Sequence, residues 1–200
     1  MNYKNSRDAA WEMLIKHNVS ALPVSVSKIC KRERIKLLSY NEGKEIIEKL
    51  QLTDHTVNDA FSIGRRIFFS DETSLERQRF SIAHELGHII LHEYEGATVY
   101  NREISPEDAP LESEANVFAS RLLAPLCVLH FVGVQSAEEI SKLCSISITA
   151  AKIRHERLCE IQERERELIR TRGRGCFLLS PLEREVFKNF SAYIKENKRN

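Results

Sequence analysis

The chain has 200 residues, 30 of them Lys or Arg and 29 Asp or Glu, for a net charge of +1. That length suits one domain, or one domain with a small appendage, and the near-zero charge supplies no global field for nucleic acid or membrane, so any such binding needs a local patch. The five cysteines, at positions 30, 127, 144, 159 and 176, are odd in number and form no CxxC pair, which predicts reduced thiols in a cytosol rather than a disulfide framework.

No apolar leader precedes the first predicted helix and no run approaches the ~20 apolar residues of a membrane span, so the expectation is a cytoplasmic protein without membrane contact. Residues 9–17 read as a helix with Trp11, Leu14 and Ile15 on one side, and Pro23 separates it from a second helix over 25–34. A short strand at 35–40 and a short helix at 45–50 lead to strands at 60–63 and 66–69, with Gly64 at the first turn position of a hairpin. These three strands predict a small sheet, whose edge could take up an extended peptide by strand addition. Thr73 and Glu76 read as a capping box opening a helix over 74–94. Residues 94–111, holding Gly96, Pro106 and Pro110, read as a loop bordering a cleft, where Tyr94 or Tyr100 could steady an oxyanion.

Within the 74–94 helix stands His84-Glu85-Leu86-Gly87-His88. Positions i and i+4 lie only about 40° and about 6 Å apart on a helix, so one ion can take both imidazole nitrogens at about 2.0–2.1 Å. Glu85 projects roughly 100° from His84, beside such an ion, where it can accept a proton from an activated water. Ile82, Leu86, Ile89 and Ile90 gather on one face and Ser81, His84, Glu85, His88 and His92 on the other, whereas a solvated helix face would more often carry Lys and Glu. His92 sits about 12 Å along the axis from His84, too far to share its ion, and reads as a cleft-wall residue.

A catalytic zinc takes three protein ligands and keeps one open position. The next helical segment offers Glu112 and Glu114. Its apolar face is Ala115, Phe118, Ala119, Leu122 and Leu123, with Glu112 roughly 50° from the centre of that face and Glu114 roughly 110° away. Glu112 is the better inward ligand, with Glu114 kept as the alternative. Asn116, one turn on, can hydrogen-bond a ligating group, and Arg121 reads as outward and solvated. After Pro125, a helix capped by Ser136, a turn at 144–147 and a helix over 148–169 resemble a helix-turn-helix, with Lys152, Arg154, His155 and Arg157 able to meet phosphates. Glu156 and Glu160 interrupt them, so direct nucleic-acid binding through this unit is not expected. Residues 162–175 alternate Glu and Arg as a solvated helix end, and 176–179 with 181–194 carry Val186, Phe187, Phe190 and Ile194 at helical spacing as a docking tail.

The run Arg79-Phe80-Ser81-Ile82-Ala83-His84-Glu85-Leu86-Gly87-His88 with Leu91-His92, then Glu112, Ala115, Asn116, Phe118, Ala119 and Leu122 to Pro125, resembles the ImmA/IrrE family of metallopeptidases, within the glutamate-type zincins. Ala124 stands where many relatives carry Met. The resemblance implies Zn²⁺ held by His84, His88 and Glu112, with Glu85 as catalytic base, in an endopeptidase that cleaves a helix-turn-helix repressor of a prophage or mobile element. The rival readings are a non-catalytic module that docks on the repressor, its metal structural, and a DNA-binding regulator. The expected fold is α+β: a mostly helical zincin-like domain over 1–130 with a small three-stranded sheet, followed by a helical, helix-turn-helix-like extension over 131–200.

Overall fold

The computed structural model describes residues 3–92, 109–172 and 179–198. It is mostly helical, with one three-stranded sheet among the described residues, as the sequence predicts. Helix α1 (Tyr3–Lys16) begins earlier than its apolar pattern and buries Ala10, Trp11, Met13 and Leu14. Helix α2 (Val26–Arg32) ends in a turn where Arg34 adopts a left-handed φ of 58°, the conformation that usually selects Gly or Asn after a helix.

Strands β1 (Lys36–Ser39), β2 (Ala60–Ile63) and β3 (Arg66–Phe69) lie in the order β1-β3-β2, with β1 parallel and β2 antiparallel to β3. Gly64 turns the β2–β3 hairpin at a φ of 54°. Side chains alternate across the sheet. On one face Phe61 and Phe68 stack with centroids 5.0 Å apart in a small cluster with Leu38, Leu52 and Ile47, the last from helix α3 (Lys44–Lys49). The other face carries Ser62 and its register partner Ile67, and it receives helix α4 (Leu75–Leu91).

The cap of α4 is one residue later than the sequence suggests. Ser74, in extended backbone, accepts from the Arg77 amide at 3.4 Å, while the Thr73 hydroxyl is used in the preceding turn on Ser70 O. The helix stops at Leu91 rather than 94, and Tyr94, Tyr100 and the rest of 93–108 lie outside the described residues. Helix α5 (Ala109–Leu123) starts inside the predicted loop, because Pro110 is compatible with a first helical turn whose N–H groups have no intrahelical acceptors. It lies against α4 so closely that a Cβ on Gly87 would stand 3.2 Å from Ala115 Cα and 3.1 Å from Phe118 Cδ1.

Helices α6 (Leu126–Val132), α7 (Ala137–Cys144) and α8 (Ile148–Arg172) follow, with Ser136 capping α7 as expected. The last predicted helix is broken at Phe190 into α9 (Pro181–Asn189) and α10 (Ser191–Asn197), and Val186, Phe190 and Ile194 join the main core against α1 and α6. The stretch Ala109–Val132 is apolar and long enough to pass for a membrane span by composition, contrary to the sequence reading, but it is mostly buried and interrupted at Pro125.

Two arginines depart from their sequence assignments. Arg154 does not face solvent: it is 2% exposed and donates Nε and Nη2 to Ala124 O at 3.1 and 2.5 Å. Ala124 follows the last residue of α5 and Pro125 stops the helix there, so its carbonyl lacks an intrahelical donor and the guanidinium supplies one. Arg121 is half-buried, and burial pulls its pKa down. Arg79 locks the α7–α8 turn onto α4, donating to Ser145 O, Val24 O and Cys144 O at 3.1, 2.9 and 3.2 Å. Arg79→Ala leaves these half-buried carbonyls short of a charged donor and is expected to cost about 2–4 kcal/mol in a urea melt; a loss within ~0.5 kcal/mol would refute the lock.

Cys30, Cys127 and Cys144 are buried and unbridged, and burial pushes each thiol up to about 12; Cys159 is exposed and also free.

Candidate metal centre

The polar face of α4 is not a solvent face. Every residue from Ser81 to Ile89 is buried, with His84 and Glu85 each 3% exposed and His88 1% exposed. Burying two imidazoles and a carboxylate without partners would be costly, so the surrounding elements must answer them.

Helix α5 does so from one side. The Nε2 atoms of His84 and His88 lie 3.0 Å apart, and Glu112 places Oε2 3.2 Å from His84 Nε2 and Oε1 3.2 Å from His88 Nε2. Hydrogen bonds to His84 and then His88 outweigh burial and hold the Glu112 carboxyl far below the usual carboxylate range. These donor atoms form a cluster able to hold a metal ion. Ligands at about 2.0–2.1 Å around a tetrahedral ion stand about 3.3 Å apart, close to the spacings seen, and two imidazoles with a carboxylate suit zinc chemistry. The residues fit such an ion.

Asn116 Oδ1 lies 3.0 Å from His84 Nδ1. Accepting a proton there would fix the tautomer that leaves the Nε2 lone pair facing the cluster. Removing this partner loosens the ring, so Asn116→Ala is expected to weaken metal affinity about 10–100-fold in a competition titration, with the fold unchanged; unaltered affinity would refute the role. Glu114 turns away to His92, with 3.8 Å between Oε2 and Nε2, so of the two carboxylates Glu112 joins the cluster.

The sheet answers from the other side. Ser62, 2% exposed, donates its hydroxyl to Glu85 Oε2 at 2.7 Å. Sequence reasoning missed this residue. Its only signal was a hydroxyl at an inward position of β2, alternating with Phe61 and Ile63. Beyond Asn116 a cavity of about 430 Å³ opens between α4, α5 and α8, lined by Phe80, Val117, Leu123 and Ile153 with Arg121 and Arg157 among its polar groups. The Phe80 ring stands 6.4 Å from that of His84, so cavity and cluster share a wall.

Comparison with known proteins agrees with this geometry. The Peptidase_M78 family model, described as an IrrE N-terminal-like domain, matches residues 30–156, which include the cluster, Glu85 and Ser62. No curated protein matches the chain. A family match over more than half of the chain, around a His-His-Glu cluster with both histidines buried and a carboxylate beside it, means that the chain belongs to the ImmA/IrrE family of metallopeptidases.

Proposed function

We propose that the protein is a cytoplasmic zinc endopeptidase in which His84, His88 and Glu112 hold Zn²⁺ and Glu85 is the general base. The observation that carries this reading is the donor triangle, its two histidines buried, with Glu85 held from the sheet by Ser62. When bound, zinc supplies a Lewis acid that polarises a carbonyl and makes water acidic near neutral pH.

The protein's own groups do the rest. Glu85 accepts the proton of the attacking water and delivers it to the departing amine as the peptide C–N bond breaks. Ser62 holds one carboxylate oxygen, which limits the orientations Glu85 must sample. Among the described residues β2 pairs with β3 alone, and its other edge offers an extended substrate a strand partner beside Ser62. The cavity behind Phe80 and Asn116 would accept an apolar substrate side chain.

The substrate we propose, on the family resemblance, is a helix-turn-helix repressor of a prophage or mobile element. Residues 1–130 then act as the peptidase body and 131–200 as a helical extension. Burial of Arg154 and pairing of Arg157 with Glu160 remove two of the cations that a DNA-reading helix there would use. The test is to mix the protein, with and without chelator, with the repressor encoded beside it and look for fragments by mass spectrometry. Chelator-sensitive fragments support the reading. An intact repressor held in a stable complex overturns it in favour of docking.

A further inference from the structure

A second surface lies outside the His-His-Glu cluster. At the hairpin end of the sheet, a concavity of about 480 Å³ is lined by Arg34, Lys36, Arg65 and Arg66 together with Leu50, Ile63 and Gly64, and no acidic side chain lines it. All four cations are exposed. Parallel pairing of β1 with β3 assembles them from distant parts of the chain: Lys36 is the register partner of Arg66, and the Lys36 amide donates to Arg65 O at 2.9 Å. On the adjoining helix α2, Lys28, Lys31 and Arg32 are exposed as well.

Such crowding of like charge is unfavourable on its own. The local acid does not relieve it, because Glu33 is taken by Lys16 and His17, at 2.6 Å each. Arg65 donates to the Glu33 carbonyl oxygen, and the side chains of Arg34, Lys36 and Arg66 have no hydrogen bond or ion pair among the described residues. Arg34 moreover carries its guanidinium on a left-handed backbone position that an arginine rarely adopts. In a chain of net charge +1 this is a local concentration of charge and not a global excess.

We propose that this surface binds the phosphate backbone of a nucleic-acid duplex without reading its sequence. Guanidinium forks pair with phosphate oxygens in two-point contacts, and three of the four lining cations are arginines. The donors sit on long exposed side chains around an open concavity, which suits a run of phosphates better than one enclosed anion. A membrane surface is disfavoured, because basic membrane-binding faces pair their charge with exposed aromatic and aliphatic side chains, and the lining has only Leu50 substantially exposed. The turn that carries Arg65 begins just after Ser62, the residue that holds Glu85, so a bound duplex would lie beside the peptidase face. The inference does not depend on catalysis, and its readout needs none.

The test is fluorescence anisotropy of a labelled duplex of about 20 base pairs against the full chain, at about 50 and about 200 mM salt. With four phosphate contacts, wild-type affinity is expected to fall roughly 100-fold between these salts. The double variant Lys36→Gln with Arg66→Gln is expected to bind at least about tenfold more weakly at the lower salt and to lose about two from the log–log salt slope. Lys152→Gln with Arg157→Gln on α8 should bind as wild type. Circular dichroism melts and metal content should match wild type for both variants. No duplex binding at low salt, equal binding by the Lys36/Arg66 variant, loss of binding in the α8 variant, or binding to phosphatidylserine vesicles in place of duplex would each overturn the proposal.

Discussion

Glu85→Gln is expected to retain metal at the wild-type level while cleaving its substrate about 10²–10⁴-fold more slowly. The amide matches the carboxylate in size, and its carbonyl oxygen can still accept the Ser62 hydroxyl, so the buried shape of the site survives. The capacity to take and return a proton does not. The same variant should melt at a higher temperature than wild type, because a carboxylate only 3% exposed is costly to bury and a neutral amide is less so. Metal analysis, a melting curve and a cleavage time course on one preparation check all three statements. Turnover near the wild-type rate would remove Glu85 from the reaction, whereas lost metal would make it a structural partner of the cluster.

Glu112→Ala should abolish high-affinity metal binding and leave the apoprotein folded. Two imidazole nitrogens 3.0 Å apart remain, but the carboxylate that sits 3.2 Å from each is gone. The loss should exceed the 10–100-fold expected for Asn116→Ala, which disturbs one imidazole without removing a donor. A thermal readout separates these effects from misfolding. Metal at about 1,000 times its dissociation constant stabilises a native state by about 4 kcal/mol, and that gain should vanish in Glu112→Ala and persist in Glu114→Ala. A full metal-dependent shift in Glu112→Ala would mean that another group completes the cluster.

The shared face of His84, Glu85 and His88 on α4, and the placement of Glu112 rather than Glu114 beside the two histidines, were legible in the sequence because they depend on helical angles, which are local. Ser62 was not. Its partner lies 23 residues away, and the contact exists only because β2 pairs with β3 in one register and the sheet receives α4. Arg154 misled for a related reason: helical spacing put it on a basic face, but its place is decided by the carbonyl left over where α5 ends at Pro125. The cap of α4 shifted by one residue because Thr73 and Ser74 both offer a hydroxyl, and the turn before the helix engages the first of them. The basic concavity was invisible for want of the β1–β3 pairing, since neither 34–36 nor 65–66 is unusual as a short run.

Gly87 would give a metal preference at this centre a mechanical origin. The histidine pair rides on α4 and Glu112 on α5, so the distance between these helices is a gauge for the size of ion the cluster accepts. The missing Cβ at Gly87 sets that gauge, since Ala115 and Phe118 already occupy the space it would need. In Gly87→Ala about 1 kcal/mol of intrinsic helix propensity offsets the cost of that close contact, so the melting temperature should move little. A separation wider by a few tenths of an ångström, however, would lengthen the histidine-to-carboxylate edges and favour larger, oxygen-seeking ions over zinc. Competition between zinc and manganese would register it as a change in their affinity ratio. A changed ratio would mean that ion choice is written partly in a residue outside the donor cluster.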